Sequence, residues 1–404
     1  MGPGRGFEWP FTLDVAALLA DGWRPFPFLE FIVKIHSRCD LKCDYCYMYE
    51  MADQTWRDQP RRMSDAIAEQ TARRIGDHAR GHHVPEITLV LHGGEPLLAG
   101  HDLIWRLVTA TRKAAGEGVH VVAQVQTNGI GLDDAYLGLF SELDVKVGVS
   151  LDGGAEIHNR HRRFASGRGS YASVAAGLGR LRQPQFQHLY SGLLCTVDLA
   201  NDPIQTYESL IAFDPPRVDF LLPHGTWDVP PPGRRPDPAD APYAHWLAAI
   251  FDHWYFAPKT HIRLFEDIMR LLLSRASSSE AIGLAPAQMV VIETDGSVEQ
   301  VDSLKAVYHG APDTGLHVNR DPFDAALVLP SIVARQLGAR ALATQCRACP
   351  IHQVCGGGMY PHRYRSGTGF ANPSVYCPDL MRLIGHVRTV LEADIRTRQR
   401  RKSL

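Results

Sequence analysis

The stretch Cys39-Asp-Leu-Lys-Cys43-Asp-Tyr-Cys46 places three cysteines in a short loop directly after the apolar run Phe31–His36. Such a run is typical of a buried strand, and the loop begins where that strand ends. Three thiolates can bind three irons of a [4Fe–4S] cube and leave the fourth iron open to a further ligand. Zinc is the alternative metal, although zinc sites favour a CxxC pair followed by a second pair. The loop therefore predicts a metal site at the end of a strand.

Five more apolar runs follow this strand, and segments with apolar residues at helical spacing separate them. The further predicted strands are Ile87–His92, Val119–Gln126, Val145–Ser150, Tyr190–Asp198 and Val218–Pro223. The predicted helices between them are Ile67–Ala79, Leu103–Ala114, Ala135–Leu143, Ala172–Leu181 and Ile204–Ala212. Strands that alternate with helices pair in parallel through right-handed crossovers, and a closed barrel of this kind has eight such units. Six units predict an open α/β barrel, a partial (β/α)6 TIM-type barrel.

Polar motifs begin where the second, third and fourth of these strands end. They are Gly93-Gly94-Glu95-Pro96, Gln126-Thr127-Asn128-Gly129 and Ser150-Leu151-Asp152-Gly153. The carboxyl ends of the strands form the active-site face of α/β barrels. We therefore expect these motifs to converge in space on the cysteine loop, although they are far apart in the chain.

A second cysteine group lies in the C-terminal part of the chain, at Cys346, Cys349, Cys355 and Cys377. Four thiolates can close the coordination of an iron–sulfur cluster or of a zinc ion, and the spacing alone leaves both possibilities open. The eighth cysteine, Cys195, lies in an apolar run and is interpreted as a small buried hydrophobic residue.

Composition and charge exclude several classes of function. The chain has 404 residues, 45% of them hydrophobic, and a formal net charge of −2, so no long-range attraction to nucleic acid or to an anionic membrane is expected. No stretch approaches the roughly 20 apolar residues that a membrane span requires. The N-terminus lacks the pattern of a secretory signal. We therefore expect a cytoplasmic protein whose thiols stay reduced.

Taken together, the motifs resemble the radical S-adenosylmethionine (SAM) superfamily. By this resemblance Cys39, Cys43 and Cys46 hold a [4Fe–4S] cluster at which SAM binds. Glu95 accepts hydrogen bonds from the SAM ammonium, and Arg162 pairs with its carboxylate. The full set of residues that the resemblance assigns to SAM binding is Tyr45, Gly93, Gly94, Glu95, Gln126, Ser150 and Arg162.

The C-terminal cysteines are similar to those of the SPASM domain, in which they hold an auxiliary [4Fe–4S] cluster. A full SPASM domain carries further cysteines, but this chain has Val301 and Met359 at two of those positions. The resemblance therefore implies two [4Fe–4S] clusters in total. Asp302 follows Val301 where related sulfatase maturases carry an acidic base, which makes it the candidate catalytic residue; the alternative is an exposed hairpin aspartate.

Four stretches narrow the resemblance to the FxSxx-type cyclophane-forming maturases, which act on ribosomally synthesised precursor peptides. They are 34–39, 47–56, 355–364 and 369–377. The implied reaction joins an aromatic ring carbon to the β-carbon of a nearby residue, with electrons from a flavodoxin- or ferredoxin-type donor. The alternatives are a thioether crosslink, a residue oxidation as in sulfatase maturation, or a non-catalytic iron–sulfur or zinc protein that binds a peptide.

The sequence also predicts a division of the chain. Residues 1–27 form an N-terminal extension, 28–228 the partial barrel, and 229–284 a proline-rich linker with helices. Residues 285–380 form the SPASM-like region, which begins with a predicted hairpin, and 381–404 a C-terminal helix with a basic tail.

Overall fold

Ten strands form one sheet in the computed structural model, which describes residues 8–235, 237, 239–277 and 279–402. The strands are β1 Glu30–His36, β2 Glu86–Gly93, β3 His120–Thr127, β4 Val145–Ser150, β5 Tyr190–Thr196, β6 Arg217–Leu221, β7 His261–Ile262, β8 Met289–Ile292, β9 Ser297–Glu299 and β10 Asp313–His317. Their order across the sheet is β10-β9-β8-β1-β2-β3-β4-β5-β6-β7.

Helices cover the sheet. They are α1 Val15–Ala20, α2 Asp65–Gly81, α3 His101–Ala115, α4 Asp134–Glu142, α5 Ala155–His161, α6 Tyr171–Leu181, α7 Pro203–Ile211, α8 Pro242–Tyr255, α9 Arg263–Leu272, α10 Pro330–Ala334, α11 Thr344–Arg347, α12 His352–Cys355 and α13 Cys377–Lys402. Short 3-10 turns span Thr55–Arg57, Pro96–Ala99, Gln187–Leu189, Asp302–Ala306, Phe323–Val328, Gly338–Ala341 and Tyr360–Arg363. No helix among the described residues is long and apolar enough to cross a bilayer.

The predicted partial barrel is confirmed. Strands β1 to β6 overlap the six predicted runs, and consecutive strands from β1 to β7 pair in parallel. In β1 the side chains of Phe31, Val33 and Ile35 are fully buried on the face that packs against the helices. Side chains alternate along a strand, so Glu30 and Ile32 face the interior of the barrel, where they line a cavity.

The pairing of the hairpin with the barrel was not predicted. The hairpin formed by β8 and β9 belongs to the same sheet as the barrel, because β8 pairs in parallel with the outer side of β1. Phe31 of β1 lies between Leu89 of β2 and Val290 of β8. The residues Val290, Val291 and Ile292 are fully buried, which fits a strand covered on both faces. The segment after residue 285 therefore contributes directly to the barrel wall.

The described part of the N-terminal extension packs on the C-terminal region. The backbone N–H of Phe370 donates to the carbonyl of Trp9 at 3.2 Å. Leu18 of α1 is buried in a small cluster with Val333 and Leu337. Residues 1–7 of the predicted extension and residues 403–404 of the predicted tail lie outside the described residues. The described part of the extension thus packs against the C-terminal region of the fold.

Candidate active site

The cysteine loop is held at the end of β1 by hydrogen bonds from its first residues. The N–H of Ser37 donates to the carbonyl of Arg61 at 2.9 Å. The guanidinium of Arg38 donates to Ser37 Oγ at 2.7 Å and to the carbonyl of Trp56 at 2.8 Å, and it lies over the Trp56 ring at 5.0 Å. These contacts fix the path of the chain as it enters the cysteines.

All three cysteines of the loop line one cavity of about 190 Å³ at the carboxyl ends of the strands. The predicted convergence of the motifs is observed, because the same cavity is lined by residues that follow β1, β2, β3 and β4. The predicted site residues on its wall are Cys39, Cys43, Cys46, Tyr45, Gly93, Gly94, Gln126, Ser150 and Arg162. Glu95 is the one predicted SAM contact that is not part of this wall.

The three thiols fit an iron–sulfur cluster in their chemistry. Burial raises the pKa of Cys43 to about 11 and raises the pKa of Cys39 and of Cys46. Buried thiols of this kind become thiolates when they bind a cation, which then compensates their charge. Three such donors beside an enclosed cavity form the donor set that a cluster with one open iron requires.

A hydrogen-bonded trio of Tyr45, Asp152 and Arg162 forms one side of the cavity. The hydroxyl of Tyr45 donates to Asp152 Oδ2, and Arg162 Nη1 donates to the Tyr45 hydroxyl at 3.0 Å. Asp152 Oδ1 accepts from the backbone N–H of Thr196 at 3.0 Å. Arg162 Nε is buried and has no hydrogen-bond partner among the residues that the structure describes. A buried donor without a partner fits a site for a carboxylate ligand, as the sequence predicts for Arg162.

Gln126 and Ser150 form a second hydrogen-bonded group in the cavity wall. Gln126 Nε2 donates to Ser150 Oγ at 3.1 Å. Gly148 of β4 is the residue that pairs with Gln126 of β3, and a side chain at this position would overlap the Gln126 amide. The glycine therefore leaves room for the Gln126 side chain to reach Ser150 and the cavity.

Glu95 has partners of its own inside the protein. Its carboxylate is 1% exposed and accepts hydrogen bonds from Thr127 Oγ1 at 2.7 Å, from the N–H of Asn128 at 2.8 Å and from the N–H of Leu97 at 3.0 Å. Burial raises its pKa to about 7. These bonds tie the end of β2 to the end of β3. Contact of Glu95 with the SAM ammonium stays a prediction.

The two glycines before Glu95 allow the strand end to approach the cysteine loop. Gly93 has a φ of +142°, and its Cβ position would overlap the carbonyl of His36. A side chain at Gly94 would overlap the hydroxyl of Tyr49 and the backbone of Arg38. The N–H of Gly94 donates to the carbonyl of His36 at 2.8 Å. The glycines thus serve close packing of two backbones next to the cavity.

Asn128 and Asp152 also line this cavity, although no site role was predicted for either residue. Asn128 Nδ2 donates to Asp40 Oδ1 at 2.6 Å and lies 3.8 Å from Cys39 Sγ. Asp152 bridges Tyr45 and the end of β5, although its Asp-Gly sequence also suits a turn. The signal for both residues was their position in a motif directly after a strand.

A second, larger cavity of about 690 Å³ adjoins the first inside the barrel. Five residues line both cavities: Tyr47, His92, Leu221, Leu222 and His224. The rings of Tyr47 and His224 meet edge to face, with centroids 4.9 Å apart. His224 is followed in the wall by His362, with Nδ1 and Nε2 of the two rings 3.3 Å apart. The boundary between the two cavities is thus formed by the rings of Tyr47, His92 and His224 together with two leucine side chains.

The larger cavity also contains Asp302 and the two positions that lack SPASM cysteines. Val301, Asp302 and Met359 all line it. Asp302 is 5% exposed, so the alternative of an exposed hairpin aspartate is wrong. Its Oδ1 lies 2.5 Å from Lys34 Nζ, and its Oδ2 lies 3.8 Å from His92 Nδ1.

Three of the four C-terminal cysteines lie on short or long helices, and Cys349 lies in the turn between α11 and α12. Cys346 is in α11, Cys355 ends α12, and Cys377 begins α13. Burial raises the pKa of Cys355 and of Cys377, and the neighbouring thiols of the group raise it as well. Gly356 has a φ of +61°, and a side chain there would overlap the backbone of Gly283, so only glycine fits directly after Cys355. This four-thiol group has the donors for a fully ligated cluster or a zinc ion.

Comparison with known proteins shows the family. The model of the radical SAM superfamily matches residues 33–198. A cysteine-type anaerobic sulfatase-maturating enzyme of Clostridium perfringens is 30% identical over 293 residues, which are 68% of this chain and 75% of that protein. The chain belongs to the radical SAM superfamily. It is a radical SAM enzyme, and its cofactors are SAM and [4Fe–4S] iron–sulfur clusters.

Other relatives of this radical SAM enzyme cover most of its length. A serine-type anaerobic sulfatase-maturating enzyme of Klebsiella aerogenes is 27% identical over 358 residues, 87% of this chain and 84% of that protein. The structure of anSMEcpe with bound AdoMet and Cp18Cys peptide has a TM-score of 0.76 at 22% identity, covering 92% and 99% of the two chains. Streptococcus suis SuiB bound to its precursor peptide SuiA has a TM-score of 0.58 at 13% identity, covering 90% and 78%. These structures share the fold.

Proposed function

We propose that this radical SAM enzyme modifies a ribosomally synthesised precursor peptide by joining an aromatic ring carbon to a β-carbon, which forms a cyclophane. The observation that supports it best is the pair of rings, Tyr47 and His224, that lines both cavities, with His362 next to His224 in the wall of the larger one. A substrate aromatic ring is accommodated there by edge-to-face contacts with these rings. Peptide complexes of the structurally similar anSMEcpe and SuiB support a peptide as the substrate class.

The smaller cavity is the proposed SAM site. Cys39, Cys43 and Cys46 would hold the cluster, and Arg162 would receive the SAM carboxylate through its free Nε. When bound, the reduced cluster and SAM supply a 5′-deoxyadenosyl radical that removes one hydrogen atom from the peptide. Tyr45 and Asp152 hold the Arg162 side chain in place for this contact.

The larger cavity is the proposed peptide site. Val301 and Met359 line it without offering a thiolate, so a second auxiliary cluster has no ligands at these two positions. We therefore propose two clusters in total. One is the cluster of the SAM site, and the auxiliary cluster is held by Cys346, Cys349, Cys355 and Cys377. The space of about 690 Å³ is then open to peptide side chains. The division of the chain into barrel and SPASM-like regions stays part of this proposal.

Asp302 is the proposed proton acceptor of the reaction. After a hydrogen atom has been removed and the new bond has formed, the ring must lose one proton and one electron to become aromatic again. Asp302 lines the cavity, and its carboxylate is held in place by its ion pair with Lys34. The electron is passed to a one-electron acceptor such as an iron–sulfur cluster, and a flavodoxin- or ferredoxin-type protein is the proposed external donor. A cytoplasmic location is consistent with the eight cysteines, all of which are free thiols.

A second candidate is oxidation of a cysteine or serine side chain, as in the sulfatase-maturating enzymes. The sequence relatives support this reaction as well as they support crosslinking. It also removes one hydrogen atom, one proton and one electron from the peptide. The same residues would therefore act in the same roles, and only the peptide that enters the larger cavity would differ.

The experiment that separates the two reactions uses the product. The enzyme is incubated with SAM, a reductant and a precursor peptide that carries an aromatic residue two positions before its target, or a sulfatase-type peptide. A cyclophane appears as a loss of two hydrogens with no fragmentation between the joined residues. An aldehyde that reacts with a hydrazide, formed only in the sulfatase-type peptide, would contradict crosslinking and establish the second candidate.

Metal analysis tests the cofactors. Two clusters predict about eight irons per chain, and the Cys39/Cys43/Cys46→Ala variant should keep about four and form no 5′-deoxyadenosine. Cys195→Ala is the matched control, because this thiol is fully buried in the core and lines neither cavity. Zinc in place of the second set of irons would contradict the auxiliary cluster and leave the SAM site unaffected.

A further inference from the structure

A buried ionic network connects Asp302 to the rest of the hairpin. Lys34 Nζ lies 2.5 Å from Asp302 Oδ1 and 2.5 Å from Glu293 Oε1. Lys305 Nζ lies 3.2 Å from the same Glu293 oxygen and 3.0 Å from Glu299 Oε2. The side chains of both lysines are at most 1% exposed. The two ammonium groups are therefore linked through shared carboxylates without contact with water.

The network continues from Lys305 to the surface. Lys305 Nζ lies 3.1 Å from Asp53 Oδ2, and Asp53 Oδ1 lies 3.5 Å from His309 Nδ1. The Asp53 side chain is fully buried, whereas His309 is 68% exposed. The N–H of Gln54 donates to His309 Nδ1 at 3.2 Å, so the neutral ring carries its proton on Nε2 and has a lone pair on Nδ1. The same Nδ1 atom lies next to Asp53 Oδ1, so it is the nitrogen at which the ring meets the network.

The charges do not balance inside this network. Four carboxylates, Asp53, Glu293, Glu299 and Asp302, surround only two ammonium groups. Burial, together with Glu293 and Asp302, raises the pKa of Glu299 to about 8, although Lys34 and Lys305 act in the opposite direction. At Glu293 burial acts in the same direction, but Lys34 and Lys305 outweigh it and lower the pKa. The network therefore accepts a proton without acquiring a net positive charge.

The chemistry requires an exit for a proton. Both reactions considered above release one proton to Asp302 in every turnover, so this inference rests on the proposed function. Asp302 is buried, and it must lose that proton before it can act again. Its immediate charged neighbours are Lys34, Glu299 and His92; of these, His92 lies on the cavity side, and Lys34 and Glu299 belong to the network.

We propose that the network of Asp302, Lys34, Glu293, Glu299, Lys305, Asp53 and His309 conducts the released proton from the active site to solvent. Each ammonium group first donates a proton to the next carboxylate and is then reprotonated by the carboxyl group before it, so its charge is restored after each transfer. One proton enters at Asp302 and one leaves from His309 Nε2. His309 and Lys305 are then positioning residues for proton release and do not touch the peptide.

The first test needs no substrate. The resting protein is mixed rapidly with D2O, and the infrared band of the protonated Glu299 carboxyl is followed as it shifts on deuteration; Glu299→Gln identifies the band. His309→Ala should slow this exchange about tenfold, and added imidazole should restore it. His120→Ala is the matched control, because His120 is 70% exposed and also pairs with a carboxylate, Glu86, at 3.0 Å.

The second test follows turnover. His309→Ala should lower the rate of peptide modification about tenfold and increase its solvent deuterium isotope effect, while 5′-deoxyadenosine still forms. Lys305→Met tests the interior of the route, and the surface variant remains informative if that protein does not fold. Equal exchange rates in His309→Ala and the parent protein overturn the proposal whatever the peptide reaction is. Normal network behaviour with no peptide product overturns only the proposed function.

Discussion

Asp302 Oδ1 lies 2.5 Å from Lys34 Nζ, although the two residues are far apart in the sequence. Lys34 is on the first strand, and Asp302 begins the turn after the hairpin. The pair exists because β8 lies beside β1, so the hairpin places its acidic residues over the first strand. The carboxylate of Asp302 is thereby fixed on the wall of the larger cavity.

Asp302→Asn should lower peptide modification by about 100-fold or more, because the amide cannot accept the proton that product formation releases. Formation of 5′-deoxyadenosine should continue, since Asp302 does not line the SAM cavity. The measurement is the ratio of modified peptide to 5′-deoxyadenosine. Asp313→Asn, an exposed carboxylate at the edge of the same sheet, should leave the ratio unchanged. An unchanged ratio in Asp302→Asn would rule it out as the proton acceptor.

Lys34→Met should destabilise the protein by about 3–5 kcal/mol, because it leaves Glu293, Glu299 and Asp302 buried beside one remaining ammonium group. Urea denaturation measures the free energy of unfolding. Lys146→Met removes an exposed ion pair with Asp144 and should cost about 0–1 kcal/mol. Similar losses in the two variants would show that the buried network contributes little to folding.

Arg162→Gln should weaken SAM binding by about ten- to 100-fold, corresponding to the loss of a charged hydrogen bond of about 1.5–3 kcal/mol. The binding constant is measured by equilibrium dialysis on the reconstituted protein, with iron content as the check on cluster assembly. Arg163→Gln is the control, because the Arg163 guanidinium donates to the carbonyl of Asn159 at the surface. Equal affinities of Arg162→Gln and the parent would place the SAM carboxylate elsewhere.

The stability of the fold should decrease in acid because of His158. Burial, with a further contribution from Arg162, lowers its pKa to about 3, while the unfolded chain has the ordinary value of 6.5. Below pH 6.5 the unfolded state therefore binds a proton that the native state excludes, and stability is lost as the pH falls toward 3. The expected slope from this residue is about 1.4 kcal/mol per pH unit.

Unfolding in urea at pH 7 and pH 5 measures this contribution. In the native state His158 Nδ1 accepts the N–H of Asp152 at 3.3 Å, and Nε2 lies 2.9 Å from Ser170 Oγ. His158→Gln should show a smaller loss between the two pH values than the parent, whatever its stability at pH 7. His120→Gln, an exposed histidine, should behave as the parent does. Parallel losses in parent and His158→Gln would contradict the assignment.

The strands and the cysteine cavity could be predicted because their signals are local. Each run from Phe31–His36 to Val218–Pro223 is apolar and bounded by polar or turn residues, and each motif directly follows a strand. The short helix α5 was missed because its seven residues carry two histidines, an asparagine and an arginine, with no apolar stripe. Its last turn nevertheless orients Arg162, the residue that follows it.

Contacts between distant residues could not be predicted in this way. Lys34 and Glu293 are separated by 259 positions, and no local pattern indicates that they meet. In the sequence, Lys34 interrupts the apolar pattern of its strand. Its burial depends on carboxylates that the distant hairpin supplies. Glu95 gives a second example. Its motif did not indicate that its carboxylate accepts hydrogen bonds from Thr127, Asn128 and Leu97.

The pairing of β8 with β1 also affects how the protein is made. Until residues 289–292 have left the ribosome, β1 is an edge strand, with one row of backbone donors and acceptors unpaired and with Lys34 buried next to no carboxylate of the hairpin. A fragment ending at residue 228 would retain six strands of the barrel and lack this protection. The barrel wall is completed only by the segment that brings Asp302, so the scaffold and its proposed proton acceptor are assembled in one step of synthesis.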